Sequence, residues 1–302
     1  MALMVCALVW SCGPGPSSGS SSTKGAGQAS GQAAGQTSVQ GAGQAAAEES
    51  ARVAGHPSDA FRLGVAGYTY RKFTLDETLA ALRGLGIKYL SVKDFWLPLD
   101  ASAEEMAAFR EKCASYGVDP YILGPIYMSS PEQVEQAFAY AARYGAGMFI
   151  GVPSYDVLDL VVEKVRQTGI KVAVHTHGPD LPDLFPDIRV VVEKVGDPSL
   201  GIGCCMDLAH SFRYGSDPAQ DILTYADWIW DIHIKDVTAP SKTGVAKEMG
   251  RGGMDIPAIV RSLRKIGYKG VVSIEYEGSE DNPTPAVAET AGYLRGVLDA
   301  LE

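Results

Sequence analysis

Three observations predict an α/β fold, a (β/α)8 TIM barrel. From Phe61 onward, short β-rich runs alternate with amphipathic helical stretches. Eight such units fit into roughly 240 residues, the expected size of that barrel. No Gly-x-Gly-x-x-Gly follows the first run, where Gly67-Tyr-Thr-Tyr70 stands instead, and this disfavours a doubly wound open sheet. In chain order the expected strands are Arg62–Ala66, Tyr89–Phe95, Asp119–Leu123, Gly147–Val152, Lys171–His175, Gly201–Asp207, Trp228–Lys235 and Gly270–Tyr276. Helical patterns lie between them at Leu75–Leu85, Ala103–Tyr116, Pro131–Tyr144, Asp156–Gln167 and Ile256–Ile266. Asp255 is the expected N-cap of the last of these, with Pro257 in its first turn.

Residues 1–58 have a different composition. An apolar stretch over residues 1–11 ends at Cys12, like the end of a bacterial lipoprotein signal, so residues 1–12 are expected to be a signal segment with a lipidated Cys12. Residues 13–58 form a Gly/Ser/Ala/Gln-rich stretch, too poor in large apolar side chains to offset its ordering entropy, and are expected to be a disordered flexible linker. The barrel then occupies residues 59–302. On this reading the protein is exported, periplasmic or held at a membrane by its N-terminal lipid; without a signal it would be cytoplasmic. The remaining cysteines, Cys113, Cys204 and Cys205, have no zinc-type spacing and suggest no disulfide framework.

A formal net charge of -10, with no block of Lys or Arg, offers nothing to a phosphate backbone, so nucleic acid is not an expected partner. Beyond the first eleven residues no apolar run reaches the roughly 18 to 20 residues that a bilayer span needs.

Barrels of this class place their chemistry at the C-terminal ends of the strands. Polar residues gather there in four consecutive units: His175 and His177, then Asp207 and His210, then His233 and Lys235, and finally Glu275 and Glu277. Strand side chains alternate in direction, so His175 shares a face with His177, His233 with Lys235, and Glu275 with Glu277. The opposite parity is apolar: Val172 and Val174, then Trp228, Trp230 and Ile232, then Val272 and Ile274. The apolar face is expected to pack outward on the helices and the titratable face to point inward. Two neutral imidazoles and two carboxylates, His175, Asp207, His233 and Glu275, make a shell suited to one divalent ion: Zn, Mn, Co or Fe.

The run Met206-Asp207-Leu-Ala-His210, the run His233-Ile-Lys235-Asp236, the loop Gly250-Arg-Gly-Gly-Met-Asp255 and the segment Ser273-Ile-Glu275 together resemble the xylose isomerase-like TIM barrels, the sugar phosphate isomerase/epimerase superfamily. The resemblance covers the last half of the chain by motif and residues 61–150 by architecture. It implies one divalent metal held by Asp207, His233, Glu275 and a strand-five position, where His175 replaces the family's usual Glu. In the family's epimerases two glutamates exchange the proton beside a carbonyl, and His175 removes one of them. The resemblance leaves Glu275 as a catalytic base and His177, His210, Lys235 or Glu277 as the second acid/base.

The expected activity is therefore a metal-dependent isomerase or epimerase acting by proton abstraction beside the carbonyl of a sugar or keto-sugar. The alternatives are a lyase or hydratase on keto-glycosides through the same enediolate, or a non-catalytic carbohydrate-binding barrel. An exported enzyme would meet free sugars more than sugar phosphates. Tyr68, Lys93, Trp96 and Arg251 are expected to contact that substrate, with Phe95, Tyr70 and Tyr127 nearby. The sequence leaves the oligomeric state open.

Overall fold

All eight β-rich runs form parallel strands, and the strands close into a barrel. The structure, a computed structural model, describes residues 61–301 apart from Pro182. The expected signal (1–12) and linker (13–58) lie outside the described residues. The barrel strands are β1 (Arg62–Ala66), β2 (Tyr89–Val92), β3 (Asp119–Met128), β4 (Met148–Pro153), β5 (Lys171–His175), β6 (Ile202–Asp207), β7 (Ile229–Ile234) and β10 (Val271–Ile274). Each pairs in parallel with its sequence neighbour and β10 closes on β1. A short antiparallel ribbon, β8 (Asp236–Val237) with β9 (Ala246–Lys247), stands between β7 and β10. Five helices fall where the apolar periodicity puts them: Leu75–Gly84, Ala103–Ser115, Pro131–Tyr144, Leu158–Thr168 and Ile256–Lys265. Four more complete the ring: Ile188–Val195, Leu208–Arg213, Pro218–Thr224 and Thr284–Ala300.

Local sequence explains where the helices start. Thr74 with Glu77 and Ser102 with Glu105 form reciprocal capping boxes, so each helix satisfies two otherwise orphaned donors. Asp255 caps its helix as expected, accepting from the Ala258 amide at 2.8 Å. Among the described residues no helix is long and apolar enough to cross a membrane.

The alternation of strand side chains holds, with one exception. Val172, Val174, Ile232, Val272 and Ile274 are fully buried in the large core between barrel and helices. Trp230 departs from this pattern. A register shift between β6 and β7 leaves it over Gly203 and against a small separate cluster of Ile122, Ile150, Ala173 and Cys205.

Asp236 has a structural role. Its buried carboxylate accepts hydrogen bonds from four backbone amides, those of Val237, Gly250, Gly252 and Met254, at 2.8–3.3 Å. The glycine-rich loop that follows β9 thus folds around one side chain, and a Cβ at Gly252 would run into that carboxylate. Asp236→Ala strands four donors, and unpaired buried groups cost about 1–3 kcal/mol each. A loss on the order of 3–5 kcal/mol is expected once water reaches some of them. Chemical denaturation of Asp236→Ala beside the wild type measures it, and a loss under about 1 kcal/mol would contradict the role.

Candidate active site

Because β5, β6, β7 and β10 are adjacent in the barrel, their C-terminal ends converge. His175 Nε2 lies 3.0 Å from His233 Nδ1, 3.9 Å from Asp207 Oδ2 and 3.8 Å from Glu275 Oε2. His233 Nδ1 is 3.4 Å from Glu275 Oε1. The four side chains that the strand-end pattern predicts therefore share one buried point, with ligand atoms all within 4.8 Å of one another. Metal–ligand bonds of about 2.1 Å give a tetrahedral edge of roughly 3.4 Å, so separations of this size suit a divalent ion. The donor chemistry, two nitrogens and two carboxylates, agrees with such an ion. His175, which stands in place of the family's usual Glu, points into the site as expected.

Lys235 completes the cluster. Its ammonium donates to Asp207 Oδ2 at 2.7 Å and Glu275 Oε2 at 2.8 Å, with Glu277 Oε2 3.6 Å away. Lys235, Asp207 and Glu275 are all buried. Burial opposes the charge on Glu275, but the Lys235 ammonium outweighs it and holds Glu275 well below the usual carboxylate range. Burial wins at Asp207, pushing it up to about 7 although Lys235 pulls the other way. One ammonium supports one anion fully and the second only in part.

Above the cluster opens a cavity of about 340 Å³, lined by residues that include Tyr68, Lys93, His177, His210, Glu275 and Glu277. His177 and His210 stack 6.0 Å apart with planes 15° from parallel. The left-handed Gly178 (φ 65°) passes against His210, where a Cβ would lie 2.9 Å from its carbonyl oxygen. Burial lowers both imidazoles, His177 to about 4, so at neutral pH both are unprotonated bases. The Tyr127 hydroxyl meets His177 Nε2 at 2.9 Å. Lys93 lines the cavity while donating to the Pro125 carbonyl at 2.6 Å.

Two expected substrate contacts are not brought to the cavity. The Trp96 indole turns away to donate to the Phe73 carbonyl at 2.9 Å and packs on Gly67, so it braces the loops after β1 and β2. Arg251 sits on the exposed loop and pairs with Glu289 of the last helix. Conversely, the sequence did not single out Arg213, Asp180 or Leu181, which line the cavity. Arg213 follows His210 by three residues on the helix Leu208–Arg213, so helical spacing alone places both on one face. Its partner Asp180, bound at 2.6 Å, lies on the loop after β5 and has no local signal.

The profile of the xylose isomerase-like TIM barrel matches residues 79–297, more than two thirds of the chain. The chain belongs to the xylose isomerase-like TIM barrel family. Two curated relatives are similar to this family member. They are the rhizopine catabolism protein MocC of Rhizobium meliloti, 24% identical over 148 residues, and the inosose dehydratase of Geobacillus kaustophilus, 27% identical over 145 residues. These matches span 44% and 43% of the chain and 45% of each relative, so the chain matches under half the length of either. Among solved structures, the IolI protein with a bound zinc atom superposes with a TM-score of 0.64 at 18% identity, over 80% of this chain and 99% of that one. At that identity the likeness speaks for the shared barrel.

In this family member, the cation between Asp207 and Glu275 is open to a direct test. Removing one partner of a buried ion pair costs about 3–5 kcal/mol, because the other charge stays buried and uncompensated. Lys235→Met is expected to lose stability on that scale in metal-free protein and to regain part of it on adding Zn2+. Thermal unfolding of wild type and variant, with and without the ion, measures both effects.

Proposed function

We propose that the protein is a divalent-metal-dependent isomerase or epimerase that moves a proton beside the carbonyl of a small sugar or keto-sugar. The observation that carries this reading is that Glu275 and the unprotonated His177 and His210 open onto one cavity. Proton exchange at a carbon beside a carbonyl needs a base to remove the proton and a conjugate acid to return one. With His175 in place of a second glutamate, the imidazoles of His177 and His210 supply that second base.

His175, Asp207, His233 and Glu275 would hold the divalent ion, which when bound polarises the substrate carbonyl and stabilises the charge that develops on its oxygen. Glu275, held ionised by Lys235, accepts the proton. Lys235 donates hydrogen bonds and keeps positive charge at the floor of the cavity as the substrate oxygen becomes negative. Tyr127 fixes the ring of His177 through Nε2. Tyr68 and Tyr127 stand 40% and 51% exposed at the mouth, where a sugar ring has aromatic surface to lie against. An exported enzyme would draw on free sugars.

A dehydratase is the second reading, and one arrangement favours it. Glu275 could remove the proton and pass it to a departing hydroxyl, which then leaves as water while the Lys235 ammonium beside it donates a hydrogen bond to that oxygen. The likeness to a protein named inosose dehydratase supports the same branch. Both branches begin with the same proton removal. Incubation with a panel of keto-sugars and 3-keto-glycosides in deuterated water is expected to give solvent deuterium beside the carbonyl. Glu275→Gln should cut exchange about 10²- to 10⁴-fold, and His233→Ala should abolish its metal dependence. No exchange with any member of the panel would favour the carbohydrate-binding barrel.

A further inference from the structure

Below the four candidate ligands lies a second, polar layer inside the barrel. Strand alternation puts a residue two positions earlier under each ligand: Ala173 under His175, Cys205 under Asp207, Asp231 under His233 and Ser273 under Glu275. Two of the four, Asp231 and Ser273, are polar. Asp231 is 2% exposed, and a carboxylate in a barrel interior is costly unless its charge is used or compensated.

The partners of Asp231 are specific. The Tyr121 hydroxyl lies 3.0 Å and 3.1 Å from its two oxygens and 2.9 Å from Ser273 Oγ. Cys205 Sγ lies 3.4 Å from Oδ2. These donors are neutral and leave lone-pair capacity on a group with about four acceptor positions. Directly above, His233 is fully buried and its Nε2 has no hydrogen-bond partner among the described residues. Asp231 Oδ2 is 3.8 Å from that nitrogen, while the opposite ring nitrogen, Nδ1, faces His175 and Glu275.

We infer that Asp231 is a positioning residue for His233: its carboxylate faces the Nε2–H, fixes the ring tautomer, and leaves the Nδ1 lone pair directed into the cation site. A histidine that ligates a metal through one nitrogen commonly gives its other N–H to a carboxylate, which orients the ring and raises its basicity. Tyr121, Ser273 and Cys205 hold the carboxylate beneath the ring. The inference rests on the proposed metal site, but the tautomer it assigns exists with or without an ion.

The test uses the full-length protein, with Asp231→Asn to remove the charge at constant size. Tyr121→Phe is the second variant, which keeps the carboxylate and loses its anchor. Nitrogen chemical shifts of His233 in metal-free protein, at a pH where the ring is neutral, read the tautomer; chelator competition reads Zn2+ affinity; thermal unfolding reads the fold. The wild type should show the Nε2–H form and Asp231→Asn a mixture, with Zn2+ bound 10- to 100-fold more weakly and a melt close to wild type. Tyr121→Phe should move both readouts the same way by less, and it carries the test if Asp231→Asn does not fold. A folded Asp231→Asn that keeps both tautomer and affinity overturns the inference. If the wild type binds no Zn2+, Mn2+ or Co2+, the metal reading fails, and the tautomer comparison still decides the role of Asp231.

Discussion

Asp207 and Glu275 are buried side by side at the ends of two barrel strands, and two carboxylates in such a place need a cation between them. Lys235 is that cation in this structure, 2.7 Å from one and 2.8 Å from the other. The rest of the site follows from this triangle. Glu275 stays ionised because the Lys235 ammonium favours its charge, and an ionised carboxylate is what proton abstraction requires. Asp207 shares the ammonium, and there burial outweighs it, which is why its affinity for a proton rises. The cluster is short of positive charge, and a divalent ion among the same donors would supply it.

The barrel makes this concentration of charge structurally tolerable. Parallel strands buried on both faces put apolar side chains outward into the helix layer, so the fold does not depend on the interior for its hydrophobic core. The interior is free to be polar in layers: Asp231 and Ser273 below, the four candidate ligands with Lys235 above them, and His177 and Glu277 lining the cavity. Asp236 extends the order outward by gathering the glycine-rich loop around its carboxylate. Of the neighbouring residues in His233-Ile-Lys235-Asp236, the first and third face the site and the last holds the scaffold.

The sequence made the barrel legible because strand alternation and helix amphipathicity are local patterns, and eight repeats leave few other architectures. It also made the four converging strand ends legible, since polar residues at one parity on adjacent strands have nowhere else to point. Residues whose environment depends on distant chain were harder to read. Trp96 follows β2 and Arg251 sits in the glycine-rich loop after β9, but Phe73 and Glu289, far from them in sequence or on another element, turn them elsewhere. Asp231 lies between two apolar residues of a strand and reads as an ordinary inward position. Only the stacking of strands beneath His233 gives it a partner. Trp230 defeated the parity rule because a register shift, which no local pattern signals, moved it to the inner cluster.

The imidazole at His175 changes the site's arithmetic. A glutamate there would bring a third carboxylate beside Asp207 and Glu275, and the single ammonium of Lys235 would face three anions. With His175 neutral through burial, the four candidate ligands carry at most two negative charges beside that ammonium. The same exchange removes an oxygen base from one side of the cavity and leaves nitrogen bases, His177 and His210, to act there. A site with nitrogen donors in place of oxygen also favours borderline ions such as Zn2+ over hard ones such as Mg2+. The departure from the family's usual ligand thus lowers the negative charge of the pocket by one and leaves the stacked histidine pair as its neutral nitrogen bases.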